Sequence, residues 1–88
     1  MYYVYILWSC KRSKFYIGYT NNLERRLKEH REGKVHTTKR YQDHILIFYE
    51  AFTEKEDALR REKYFKTTKG KKTLRLMLHD TLIKYRQG

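Results

Sequence analysis

Runs of aromatic and β-branched residues, separated by short polar stretches, outline the chain. Tyr2 to Trp8 reads as a strand, with Tyr3, Tyr5 and Leu7 on one face and Tyr2, Val4, Ile6 and Trp8 on the other. Ser9 to Ser13 is polar and short, a hairpin connection. Phe15 to Thr20 is a second strand, paired antiparallel with the first; Tyr16 and Gly18 share one face, and Phe15, Ile17 and Tyr19 the other. Asn21 or Asn22 then offers a side-chain acceptor to the free amides of a first helical turn. This helix runs to about Arg31, turns Leu23 and Leu27 toward the sheet and stops at Gly33. Lys34 to Asp43 is basic and irregular, which predicts an exposed loop.

His44 to Ala51 is a third strand, apolar on both faces and therefore expected to be covered on each side. Thr53-Glu54-Lys55-Glu56 has the spacing of a capping box, and the helix it starts continues to about Thr68. Gly70 punctuates. A last helix spans roughly Lys71 to Lys84, with Leu74, Met77, Leu78 and Leu82 on one stripe. The order β-β-α-β-α-α predicts an α/β fold, a small layered domain in which helices flank a three-stranded antiparallel central sheet.

Composition adds a class of partner. The 88 residues make one domain, 1–88, and the absence of proline argues against a linker. Twenty-one Lys and Arg against ten acidic residues give a formal charge of +11, which favours a polyanion, DNA or RNA ahead of an anionic membrane surface. The longest apolar run, Tyr2 to Trp8, is far short of the ~20 residues that span a bilayer, and no charged segment precedes it. Cys10 is the only cysteine, so neither an intramolecular disulfide nor a cysteine-rich zinc site can form. The expectation is a cytoplasmic protein, a monomer or weak homodimer, with no membrane contact. Gly-rich phosphate loops, His-Glu-x-x-His and Ser-His-Asp sets are missing.

Two charged residues stand out against this background. On the first helix Glu24 can pair with Lys28 and Arg25 with Glu29, which leaves Arg26 comparatively free, with Glu29 at i+3 its only nearby acid. His30 lies one turn away on the same side. A guanidinium fork matches phosphate oxygens, although a solvated basic face is the plainer explanation. Glu62 falls within the apolar stripe of Ala58, Leu59 and Phe65, where a carboxylate costs free energy unless it is paired or bound to a cation. Lys66 at i+4 could pair with it, or it could hold a Mg²⁺ that keeps several waters; both stay open. Tyr5 and Tyr16 are ordinary strand residues unless their hydroxyls converge with Arg26 and Glu62.

Tyr3-Val4-Tyr5, Tyr16-Ile17-Gly18, the run from Thr20 to His30, and Ala58-Leu59-Arg60-Arg61-Glu62-Lys63, in that order, resemble the GIY-YIG endonuclease superfamily. The resemblance covers nearly the whole chain. It is strongest to the small stand-alone bacterial members, related to the N-terminal nuclease domain of the bacterial excinuclease and so to DNA repair. It implies a metal-dependent endonuclease that hydrolyses DNA phosphodiesters to a 5′-phosphate and a 3′-hydroxyl, on structured or single-stranded substrates. By the same resemblance Tyr5 is the general base, Tyr16 a supporting hydrogen-bond donor and Gly18 the motif glycine. Arg26 stabilises the pentacovalent phosphate, His30 assists one turn later, and Glu62 binds one Mg²⁺ or Mn²⁺. Lys14, Arg25, Lys39, Arg40 and Lys66 are the candidate nucleic-acid contacts. The chain departs from the pattern in Tyr-Val-Tyr for the first motif and in having no asparagine after Asn22, a role that Lys66 could fill. The competing readings are a non-catalytic DNA- or RNA-binding module and, behind it, a basic partner of ribosomal RNA.

Overall fold

The N-terminal aromatic run becomes the middle strand of the sheet. In the computed structural model of the chain, residues 1–39 and 42–86 are described. Strand β1 is Tyr2–Ser9, β2 is Lys14–Thr20 and β3 is His44–Phe52, in the spatial order β2-β1-β3, with both pairings antiparallel. Val4 to Trp8 are all buried, so β1 is apolar on two sides because it is covered on two sides. That role was expected of β3. Instead β3 is an edge strand, and its Leu46 and Tyr49 reach solvent. The β1–β3 register shifts between Ile6 and Leu7, the irregularity that edge strands commonly carry.

The alternation along β1 divides the domain into two halves. Val4, Ile6 and Trp8, with Ile17 of β2, form the core with Ala58, Phe65, Leu74, Leu78 and Leu82. Those five come from helices α3 (Lys55–Phe65), α4 (Thr68–Met77) and α5 (His79–Arg86) and from Leu78, the residue between the last two. Each fully buried aliphatic or aromatic side chain here is worth ~1.5–3 kcal/mol, so this face holds most of the stability. Tyr5 and Leu7 point the other way, toward α1 (Leu23–Arg31) and the short α2 (His36–Lys39).

Helix α1 starts as expected. Asn22 is its N-cap, and Oδ1 accepts from the amide of Arg25 at 3.0 Å. Gly33, with φ +71°, follows the C-cap residue Glu32, and that left-handed backbone is the conformation glycine tolerates best.

Several further expectations need correcting. The segment from Lys34 to Asp43 is not simply an exposed loop, because it contains α2 and buries Val35 and Thr38. The capping box does not form: Glu54 is the N-cap of α3 and makes no side-chain cap bond, while Glu56 and Asp57 complement the dipole of the first turn. Helix α3 ends at Phe65, and Thr67 caps a new helix by accepting from the amide of Gly70 at 3.0 Å. Gly70 therefore lies inside α4 and does not mark its start; a Cβ there would strike the carbonyl of Tyr64 and lie 2.7 Å from Cα of Phe65. Finally, the last helix breaks at Leu78, and Met77 is exposed, since Leu78 at i+4 from Leu74 takes the core position.

Candidate active site

Strand β1 places Tyr5 at the middle of the sheet, directly across from Gly18 on β2. The phenol lies over that glycine: a Cβ on residue 18 would collide with Cζ and Oη of Tyr5 and come within 2.7 Å of Cε1. Tyr16, two residues earlier on the same face, has its ring centroid 6.1 Å from that of Tyr5. Helix α1 lies over these rings, and its Arg26 and His30, one turn apart, both reach the Tyr5 hydroxyl. Nε of Arg26 donates to Oη at 3.4 Å, and Nε2 of His30 lies 2.8 Å from the same oxygen. The His30 ring meets Tyr16 edge-on at 5.0 Å. Its other nitrogen, Nδ1, lies 2.8 Å from Oγ1 of Thr38.

Four of the expected residues thus converge: Tyr5, Tyr16, Arg26 and His30. Gly18 supplies the room. Arg26 is less free than its spacing suggested, because Nη1 donates to Glu29 at 3.1 Å. Glu29 is therefore the partner of Arg26, where the i, i+4 rule had assigned it to Arg25. Among the other candidate contacts, Lys14, Arg25, Lys39 and Lys66 are exposed, as backbone contacts must be, and Arg40 lies outside the described residues.

Burial dominates the electrostatics. Tyr5 is fully buried, which pushes its phenol well above the ordinary tyrosine value; the Arg26 donor opposes this shift without overcoming it. The Arg26 guanidinium, hydrogen-bonded to Tyr5 and Glu29, is held more firmly charged than usual. His30 is lowered to about 4, first by burial, then by the positive charge of Arg26 and the proximity of His44. At neutral pH the cluster holds a neutral phenol, a neutral imidazole and one guanidinium.

Glu62 is placed differently. Helix α3 packs through Ala58 and Phe65 on the opposite face of the sheet from Tyr5, and the Glu62 carboxylate pairs with Lys66 at 3.3 Å. No hydrogen bond or ion pair joins it to the tyrosine cluster among the described residues, nor do these contain a group of three or more His, Cys, Asp or Glu able to hold a metal ion. A Mg²⁺ ion needs only one or two carboxylates when phosphate and water complete its shell. Glu62, with a side chain 21% exposed and one displaceable lysine partner, fits that minimal set.

Two neighbours went unseen in the sequence. Thr38 is buried behind His30, and a threonine in a basic stretch carries no signal of such a role. His44 begins β3, and its ring faces Tyr16 at 6.5 Å. Its strand position was readable, but its proximity to Tyr16 depends on the β1–β3 register.

Known proteins resemble the chain in sequence and in fold. The model of the GIY-YIG catalytic domain matches residues 1–75. The chain is 38% identical over 76 residues to the UPF0213 protein SH2523 of Staphylococcus haemolyticus, covering 85% of this chain and 92% of that one. It is 44% identical over 64 residues to the UPF0213 protein YazA of Bacillus subtilis, covering 72% and 65%. The solution NMR structure of the UPF0213 protein BH0048 of Bacillus halodurans superposes with a TM-score of 0.55 at 37% identity, over 88% of this chain and 85% of that one.

Proposed function

The chain belongs to the family of GIY-YIG catalytic domains, and from that premise we propose that it is a divalent-metal-dependent endonuclease that hydrolyses phosphodiester bonds in DNA. The observation that supports this most is the convergence of Arg26 and His30 on one buried phenolic oxygen, at 3.4 and 2.8 Å. The formal charge of +11 supplies the attraction to a polyanion.

The reaction follows from the groups at hand. Arg26 presents donors to the non-bridging oxygens of a phosphodiester and stabilises the extra charge of the pentacovalent state. A water molecule gives its proton to Oη of Tyr5 as Tyr5 passes its own to Nε2 of His30. The water oxygen forms a bond to phosphorus, and the bond to the 3′-oxygen breaks, that oxygen taking a proton from solvent to leave as the 3′-hydroxyl. Tyr5 ends as it began, and His30 carries the proton. In the resting site that transfer is uphill, because burial favours the neutral forms of both rings. A bound phosphodiester brings negative charge to His30, and that charge raises the proton affinity of the imidazole. Tyr16 supports this face as a hydrogen-bond donor. Glu62 is the residue that would hold a divalent ion, whose positive charge would offset that of a bound phosphodiester.

The test is cleavage of nicked, branched and single-stranded DNA with Mg²⁺ or Mn²⁺ and with chelator. Activity is expected with metal only, and Arg26→Ala and Glu62→Ala should each lose it. Full activity in both variants would refute the assigned site. A non-catalytic DNA- or RNA-binding module is the second reading, favoured by the engagement of Glu62 with Lys66. It predicts salt-sensitive binding without cleavage.

A further inference from the structure

The hydrogen bonds around His30 form a chain whose direction can be worked out. Its members are Arg26 Nε, Tyr5 Oη, His30 Nε2 and Nδ1, Thr38 Oγ1 and the carbonyl of Val35, which Thr38 approaches at 3.5 Å. Arg26 can only donate, and the Val35 carbonyl can only accept. Between these fixed ends, one arrangement gives every proton an acceptor: Tyr5 donates to Nε2, Nδ1–H donates to Thr38, and Thr38 donates to Val35. In the reverse arrangement Nε2–H and Arg26 both point at the phenolic oxygen. The Tyr5 proton, fully buried, is then left with the Tyr16 hydroxyl, which makes no hydrogen bond of ordinary length with it, in place of Nε2 at 2.8 Å. A buried donor without a partner is strongly disfavoured. The first arrangement therefore wins.

We propose that Thr38 is a positioning residue for the proposed nuclease, fixing His30 as the Nδ1–H tautomer so that the Nε2 lone pair faces the Tyr5 hydroxyl. This inference rests on the reading of Tyr5 and His30 as the proton path. The Nδ1–H form is the opposite of the tautomer a free histidine side chain prefers, so it needs something to hold it. Thr38 is suited to that task. It is 2% exposed, sits on α2 and comes from a different element than the histidine it holds. Its backbone is anchored as well, with the amides of Thr38 and Lys39 donating to the Val35 carbonyl at 3.2 and 2.9 Å. The remaining charged or titratable groups around the imidazole are Tyr16 on β2, Arg26 and Glu29 on α1, and His44 on β3. Only Tyr5 and Thr38 form hydrogen bonds to its nitrogens among the described residues.

The test reads the tautomer directly, by two-bond ¹⁵N–¹H correlation spectra of the imidazole at pH 7. Wild-type protein should show Nδ1 protonated and Nε2 bare. Thr38→Val, similar in shape but without the hydroxyl, should shift His30 toward the Nε2–H form, and Thr38→Ser should restore the wild-type pattern. With DNA substrate, Thr38→Val should lower kcat by roughly 10²- to 10⁴-fold with KM little changed, the upper figure being the loss that a wrong histidine tautomer causes elsewhere. Thr38→Ser should recover most of it. Protonated Nε2 in wild-type protein, or an unchanged tautomer in folded Thr38→Val, overturns the proposal. Should Thr38→Val fail to fold, the wild-type and Thr38→Ser spectra still decide. Correct tautomers in a protein that cleaves nothing would uphold the role of Thr38 in setting His30 and refute the nuclease reading alone.

Discussion

Replacing Gly18 by alanine sets two known effects against each other. In the unfolded chain alanine has less conformational freedom than glycine, and in a strand it packs better; by that measure Gly18→Ala gains ~0.4–1 kcal/mol. The phenol of Tyr5 decides otherwise. The new methyl would collide with Cζ and Oη and lie 2.7 Å from Cε1, where ordinary contact begins at 3.4 Å. The ring must retreat by most of an ångström or more. It has little room, with Tyr16 and His30 at centroid distances of 6.1 and 5.6 Å and no exposure to solvent. Overpacking of this kind costs ~1–3 kcal/mol, so the net expectation is a loss of about 1–2 kcal/mol. The same displacement pulls Oη from His30 and Arg26, and a shift of 1 Å at a reacting group costs ~10²-fold in rate. Urea unfolding measures the first effect and single-turnover DNA cleavage the second. A variant that is more stable than wild type and cleaves at the same rate would refute the account of why this position is glycine.

Gly70→Ala tests a second close approach. Helix propensity favours alanine by ~1 kcal/mol, but the backbone of Tyr64 and Phe65 blocks the methyl, so a net loss of roughly 2 kcal/mol or more is expected in urea; a stabilised variant would contradict the packing of α3 on α4. His30 makes stability depend on pH. Its folded value of about 4 lies below the ~6.5 of an unfolded histidine, so the unfolded state binds the proton more tightly. The contribution is complete above pH ~6.5 and is lost as pH falls through 4, about 3 kcal/mol in all. Asp43 also weakens the fold in acid, since its partial burial is outweighed by hydrogen bonds from Lys11 and Ser9 and its carboxyl titrates below the usual range. Unfolding curves of wild type and His30→Gln between pH 7 and 4 separate the two, and parallel pH dependences would exclude His30 as the source.

Strand positions, the Asn22 cap and the faces of β1 were legible because each rests on local alternation or on one side chain meeting a nearby amide. The convergence of Tyr5, Tyr16, Arg26 and His30 was legible only through the order of the motifs, since spacing along a strand and a helix leaves their mutual approach undetermined. Thr38 was invisible because its partner is eight residues away, in a stretch whose composition matches any solvated loop. Gly70 was misread for a related reason: a glycine demanded by a neighbouring backbone looks the same in sequence as one that ends a helix. Glu62 kept the ambiguity that its spacing gave it, and Lys66 occupies it in the structure.

The order of the two faces along the chain has a consequence for synthesis. Tyr5, Tyr16, Arg26, His30 and Thr38 all lie within the first 38 residues, whereas the cover for Val4, Ile6 and Trp8 comes from residues 58 to 82. A polypeptide still short of Ala58 has every side chain of the cluster and no lid over its largest apolar surface. Segments that small rarely bury enough to stay folded. The side chains of the candidate site are translated before the residues that cover the other face of the sheet, so a truncated product carries them without the scaffold to aim them.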